Sequence, residues 1–174
     1  MNKTAKKLVY SALCLALCMV LPFLTGQIPE IGSALSPMHI PVLLCGFICG
    51  GPWGMVVGLT APLLRFALFG MPPLFPTGLA MAFELAAYGL FSGLLYKWLP
   101  KKNGYIYLAL IASMLLGRAV WGAVMMLMVG AAEFGLAAFI AGAFTNAIPG
   151  IICHIILIPI IVIALKKAKL IAND

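Results

Sequence analysis

The sequence predicts an all-α integral membrane protein: one compact domain over residues 1–174, a bundle of six transmembrane helices with both the N- and C-termini cytoplasmic. Three observations carry this. The chain is 64% hydrophobic and 9% charged, with mean hydropathy +1.16, whereas a soluble domain is about half apolar and a quarter charged. Every lysine falls in one of three clusters: Lys3, Lys6 and Lys7; Lys97, Lys101 and Lys102; Lys166, Lys167 and Lys169. The other charges are Glu30, Arg65, Glu84, Arg118 and Glu133 between the clusters, and Asp174 beyond the last. Cytoplasmic loops collect Lys and Arg, so the clusters share one side and an even number of spans separates each from the next. The net charge of +7 then reads as lysines facing anionic headgroups of the lipid bilayer, and no nucleic acid is expected as a partner.

The elements follow in order, at the ~20 residues a helix needs to cross the core. Span 1 covers residues 4–24; its basic start resembles a signal peptide, but the apolar run is too long and has no convincing cleavage site, so an uncleaved helix is expected. Residues 25–37, rich in Gly, Pro and Ser, form an external loop. Span 2, residues 38–50, ends at the tight turn Gly50-Gly51-Pro52, and span 3 covers 53–69. Both are short, so one is tilted or lies partly within protein. A proline-stiffened external loop at 70–76 precedes span 4, residues 77–98. Span 5 covers 105–129, residues 130–135 turn outside, and span 6 covers 136–165. The external loops contain no lysine or arginine, and two contain a glutamate.

Three charges have no topological role. Arg65, Glu84 and Arg118 lie inside spans 3, 4 and 5, leaning to the external half or the midplane. A charge at mid-span costs about 2.5–3.5 kcal/mol on insertion scales, so such groups face the bundle interior or a wet cavity. His39, Tyr88, Thr145 and Asn146 fall at matching depths. These residues could surround an outward-facing cavity; alternatively, an Arg–Glu pair merely locks helices together. Two arginines against one glutamate favour a ligand carboxylate or phosphate, held bidentately. Trp121, one turn from Arg118, is expected either to stack on a ligand or to pack in the core. His154, in an aliphatic run counted to the cytoplasmic side of span 6, reads as a packed core residue. Cys14/Cys18 and Cys45/Cys49 are i,i+4 pairs without co-ligands at zinc spacing, so they read as small packing residues, and no metal or cofactor is expected. No nucleotide-binding loop, nucleophile elbow or zinc-protease helix occurs, so the chain reads as no enzyme.

The opening helix has a basic start followed by Ala12 and Ala16, four apart, on one face that allows close helix approach. With six short spans, Ser36-Pro37-Met38-His39-Ile40-Pro41 and Gly70-Met71-Pro72-Pro73, the chain resembles the substrate-binding S components of energy-coupling factor (ECF) vitamin transporters. The resemblance implies a multi-pass protein of a bacterial-type cytoplasmic membrane that binds a vitamin-like small molecule. Its partners would be a transmembrane coupling subunit, docked at Ala12 and Ala16, and a pair of ABC ATPase subunits. It further implies a pocket lined by Glu84, Tyr88, Arg118, Trp121 and Asn146, and a gating loop at Gly70, Met71, Pro72 and Pro73. The residues themselves add His39 and Arg65 to the candidate substrate contacts. A cationic pocket makes an anionic vitamin or precursor the expected ligand: pantothenate first, a pyridoxine-like compound second. The alternative from another class is a stand-alone carrier driven by a proton gradient through Glu84.

Overall fold

A computed structural model describes residues 2–25, 34–100 and 102–168. Glu30, Lys101, Lys169, Asp174 and most of the 25–37 loop lie outside the described residues. The described chain is helical, without strands. Helix α1 spans Lys3–Val20 and runs into a 3-10 turn at Leu21–Thr25; α2 is His39–Cys49, α3 Gly51–Phe69, α4 Leu79–Trp98 and α5 Asn103–Val129. Helix α6, Leu136–Ala143, is followed by a 3-10 turn at Thr145–Ala147 and by α7, Ile148–Lys167. Five helical stretches among the described residues are long and apolar enough to cross a membrane.

The exception is α2. Its 11 residues reach only about 17 Å at 1.5 Å per residue. It is apolar on all sides, and nine of its residues are buried, among them Val42, Leu43, Cys45 and Phe47. A helix hydrophobic all round belongs in an interior, and α2 packs against α1, α3, α4 and α7. It is the bundle's central post and has little need to face lipid. Its Leu43 joins Leu85, Ile106, Leu110 and Ile158 in the fully buried core, while Leu8, Leu13, Leu115, Leu127 and Ile160 present an apolar exterior, as lipid-facing positions do.

Turn chemistry sets the boundaries. Gly50, at φ +96°, closes α2 and opens α3, a conformation available at little steric cost only to glycine. Gly70 ends α3 in the left-handed region at φ 70° and ψ 4°, the usual C-terminal signal. Beyond it, Pro72, Pro73 and Pro76 break helical continuity, with Phe75 extended, before α4 begins. Helices α3 and α4 then approach closely. A Cβ on Gly54 would stand 2.6 Å from the Gly89 carbonyl oxygen, and one on Gly89 would collide with the Gly54 backbone. Glycine here replaces side chains with backbone-to-backbone packing.

The stretch expected as one span at 136–165 is interrupted. Phe144 leaves the helical region at φ −125°, ψ −63°, and α7 starts afresh at Ile148-Pro149. Pro149 has no N–H to donate, and its ring would clash with the carbonyl four residues back, that of Thr145. The break therefore falls one turn before the proline.

Candidate ligand-binding cluster

Four helices each bring a polar side chain to one buried place. His39 opens α2, Glu84 and Tyr88 lie one turn apart on α4, Arg118 sits on α5 and His154 on α7. All five are at most 9% exposed. Gly117 makes this meeting feasible, because a Cβ there would collide with the Tyr88 ring; its absence lets α5 approach α4 and places the next residue, Arg118, beside Glu84. Gly150 does the same for α7: a Cβ would come within 2.6 Å of the Ala34 carbonyl.

The geometry centres on Glu84. Its Oε1 accepts from Arg118 Nη1 at 2.8 Å and from the Tyr88 hydroxyl at 2.9 Å. Its Oε2 faces His39 Nε2 at 3.7 Å, beyond hydrogen-bond range. The His39 ring lies 5.3 Å from the Tyr88 ring and stacks on His154, with centroids 5.8 Å apart and planes 17° from parallel. Both nitrogens of His39, both of His154, and Arg118 Nε are buried without a hydrogen-bond partner among the described residues. The Ser36 backbone also interacts with the His154 ring. Glu84 and Arg118 form an ion pair whose charges balance. The cluster is rich in unused hydrogen-bonding capacity, and its ring faces can stack on a planar group.

The structure thus brings together four of the seven expected contacts: His39, Glu84, Tyr88 and Arg118. Arg65 is elsewhere. Its Nη1 donates to the Met19 carbonyl at 2.8 Å, and its guanidinium lies over the rings of Phe23 and Phe69 at 5.3 and 5.1 Å. These contacts tie the end of α1 to the end of α3 through hydrogen bonding and cation–π attraction. Trp121 belongs to an aromatic group with Phe134 and Phe139, and its ring also lies against Gly142. Asn146 is exposed on the turn between α6 and α7.

His154 was missed as a member of the cluster, for a traceable reason. Counted from residue 136 along one straight helix it lies about 27 Å down; counted from the start of α7 it lies about 9 Å in. The signal present in the sequence was Pro149, which announces a new helix start.

Among the described residues, helices long and apolar enough to cross a membrane enclose a buried polar cluster centred on the Glu84–Arg118 pair. The chain belongs to the family of ECF transporter substrate-specific components, whose family model matches residues 6–162. No curated protein and no solved structure matches it.

Proposed function

We propose that this chain captures a small vitamin or vitamin precursor at the Glu84–Arg118 cluster and delivers it through an ATPase-driven coupling module. The observation that carries this reading is the convergence of α2, α4, α5 and α7 on one buried polar cluster in which five nitrogens lack a hydrogen bond of normal geometry among the described residues, an arrangement costly to retain unless water or a ligand satisfies them. In this reading the termini are cytoplasmic and the 70–76 loop is external, with Gly70, Met71, Pro72 and Pro73 closing over the ligand. The anionic expectation is narrowed by the placement of Arg65. One paired arginine supports at most a single carboxylate, approached from the Arg118 Nε side. Pantothenate, with one carboxylate, two hydroxyls and an amide, stays the first candidate, and a pyridoxine-like compound the second.

Reconstitution in vesicles tests the coupling. Uptake of labelled pantothenate or pyridoxine should require the coupling subunit, the ATPase pair and ATP; accumulation by the chain alone under a proton gradient would overturn the reading in favour of a carrier.

Docking of the coupling subunit at Ala12 and Ala16 is supported by their position: both are exposed on α1, amid exposed Leu8, Leu13 and Leu17. Ala12→Trp is expected to abolish co-purification with the coupling subunit while ligand affinity stays within about twofold, since it touches no group of the cluster. Normal co-purification of that variant would remove this face from the interface.

A further inference from the structure

Resting on the binding role proposed above, we infer that His154 contacts the ligand, and that with His39 and Arg118 Nε it forms a donor–acceptor subsite selecting an unphosphorylated molecule rich in hydroxyl or amide groups. The five nitrogens that lack a hydrogen bond of normal geometry among the described residues define what a ligand can match. A neutral imidazole has one donor and one acceptor whichever ring nitrogen holds the proton. With both rings neutral, the two imidazoles and the Arg118 Nε–H offer up to three donors and two acceptors. A carboxylate or phosphate accepts only, and would leave both ring acceptors facing oxygen lone pairs. Hydroxyls and amides both donate and accept, so they complement the set.

Electrostatics points the same way. A phosphate monoester carries about −1.5 to −2 charges at neutral pH. Against it the cluster has one guanidinium, already held by Glu84 at 2.8 Å. Arg65, the other arginine, is 4% exposed and engaged with Met19, Phe23 and Phe69. Lys97, Lys166 and Lys167 sit in the last turns of α4 and α7, while Glu84 and His154 lie toward the starts of those helices. Moving a dianion from water into this site would leave most of its charge uncompensated. Among the described residues, His39, His154 and Glu84 are not placed as a metal-ligand set.

The experiment pairs a ligand panel with two His154 variants. Pantothenate, pyridoxine and the phosphate ester of each are titrated into the purified full chain. At least one parent should bind, with its ester about 100-fold weaker or more. His154→Phe, similar in shape but without polar atoms, should weaken that parent about 10- to 100-fold, as expected when a buried polar partner is lost. His154→Gln, which keeps a donor and an acceptor, should stay within about tenfold of the native protein. An ester binding as tightly as its parent, or a folded His154→Phe with native affinity, overturns the inference; the latter would mean that water alone satisfies the ring. If His154→Phe does not fold, His39→Phe reads the same subsite from the other ring. Should neither parent bind, native mass spectrometry of the purified protein decides. A co-purified hydroxyl- or amide-bearing molecule without phosphate supports the subsite, and a phosphorylated or hydrocarbon one overturns it. The absence of any bound molecule would instead sink the binding role proposed for the cluster.

Discussion

Arg118→Ala is expected to abolish high-affinity binding and to destabilise the protein as well. The guanidinium is the arginine or lysine partner of Glu84 among the described residues, and the two side chains are 11% and 3% exposed. Removing one member of such a pair leaves the other charged and buried, a loss of roughly 3–5 kcal/mol. The two effects separate in the double variant Arg118→Ala with Glu84→Gln. Neutralising the stranded carboxylate should restore most of the melting temperature, because no buried charge is left. Affinity for whichever of pantothenate or pyridoxine the native protein binds should stay at least about 100-fold down. Thermal melts and titration of both variants check this. Native affinity in the double variant would show that Arg118 serves only to pair with Glu84, the alternative in which an Arg–Glu bridge simply locks α4 to α5.

Gly89→Val is expected to prevent stable assembly of α4 against α3. Its side chain would enter the space of the Gly54 backbone, and backbone cannot rotate away as a flexible side chain would. Overpacking typically costs about 1–3 kcal/mol, and a backbone clash belongs at or beyond the top of that range. Gly89→Ala should be milder but still destabilising. The control is Gly104→Ala, where an added Cβ meets nothing within 4 Å and helix propensity favours alanine by up to about 1 kcal/mol. Size-exclusion profiles and melts in detergent read all three. A native-like Gly89→Val protein would refute the close approach of α3 and α4. Because Glu84 and Tyr88 are also on α4, a partly folded Gly89 variant should lose ligand binding before it loses helicity.

The helical stretches were legible because hydropathy reports them directly. The run that begins after Lys7, the Gly50-Gly51-Pro52 turn and the Gly70-to-Pro76 loop each leave a signal within a few residues. The short lengths of 38–50 and 53–69 left open which was tilted and which lay within protein, and the structure makes α2 the buried one. The interruption at Phe144 was less visible: an apolar stretch reads as one span even where Pro149 forces a new start. That one break displaced His154 by several turns in the expected depth.

Sequence by itself determined that this is an apolar helical protein whose few intramembrane charges need partners, because the energetic penalty of charge in hydrocarbon depends only on residue type and depth. It also held enough of a family pattern to indicate an ECF substrate-specific component. Which charges meet was decided by the tertiary structure. Depth along a helix is a one-dimensional quantity, whereas pairing depends on each helix's rotation about its axis and on how closely neighbours approach. Gly117 admits α5 to α4 and so gives Arg118 to Glu84; the facing of α3 gives Arg65 to Met19 and two phenylalanines. The two arginines, both candidate ligand contacts in the sequence, thus have different work: Arg118 pairs with Glu84, and Arg65 joins the ends of α1 and α3.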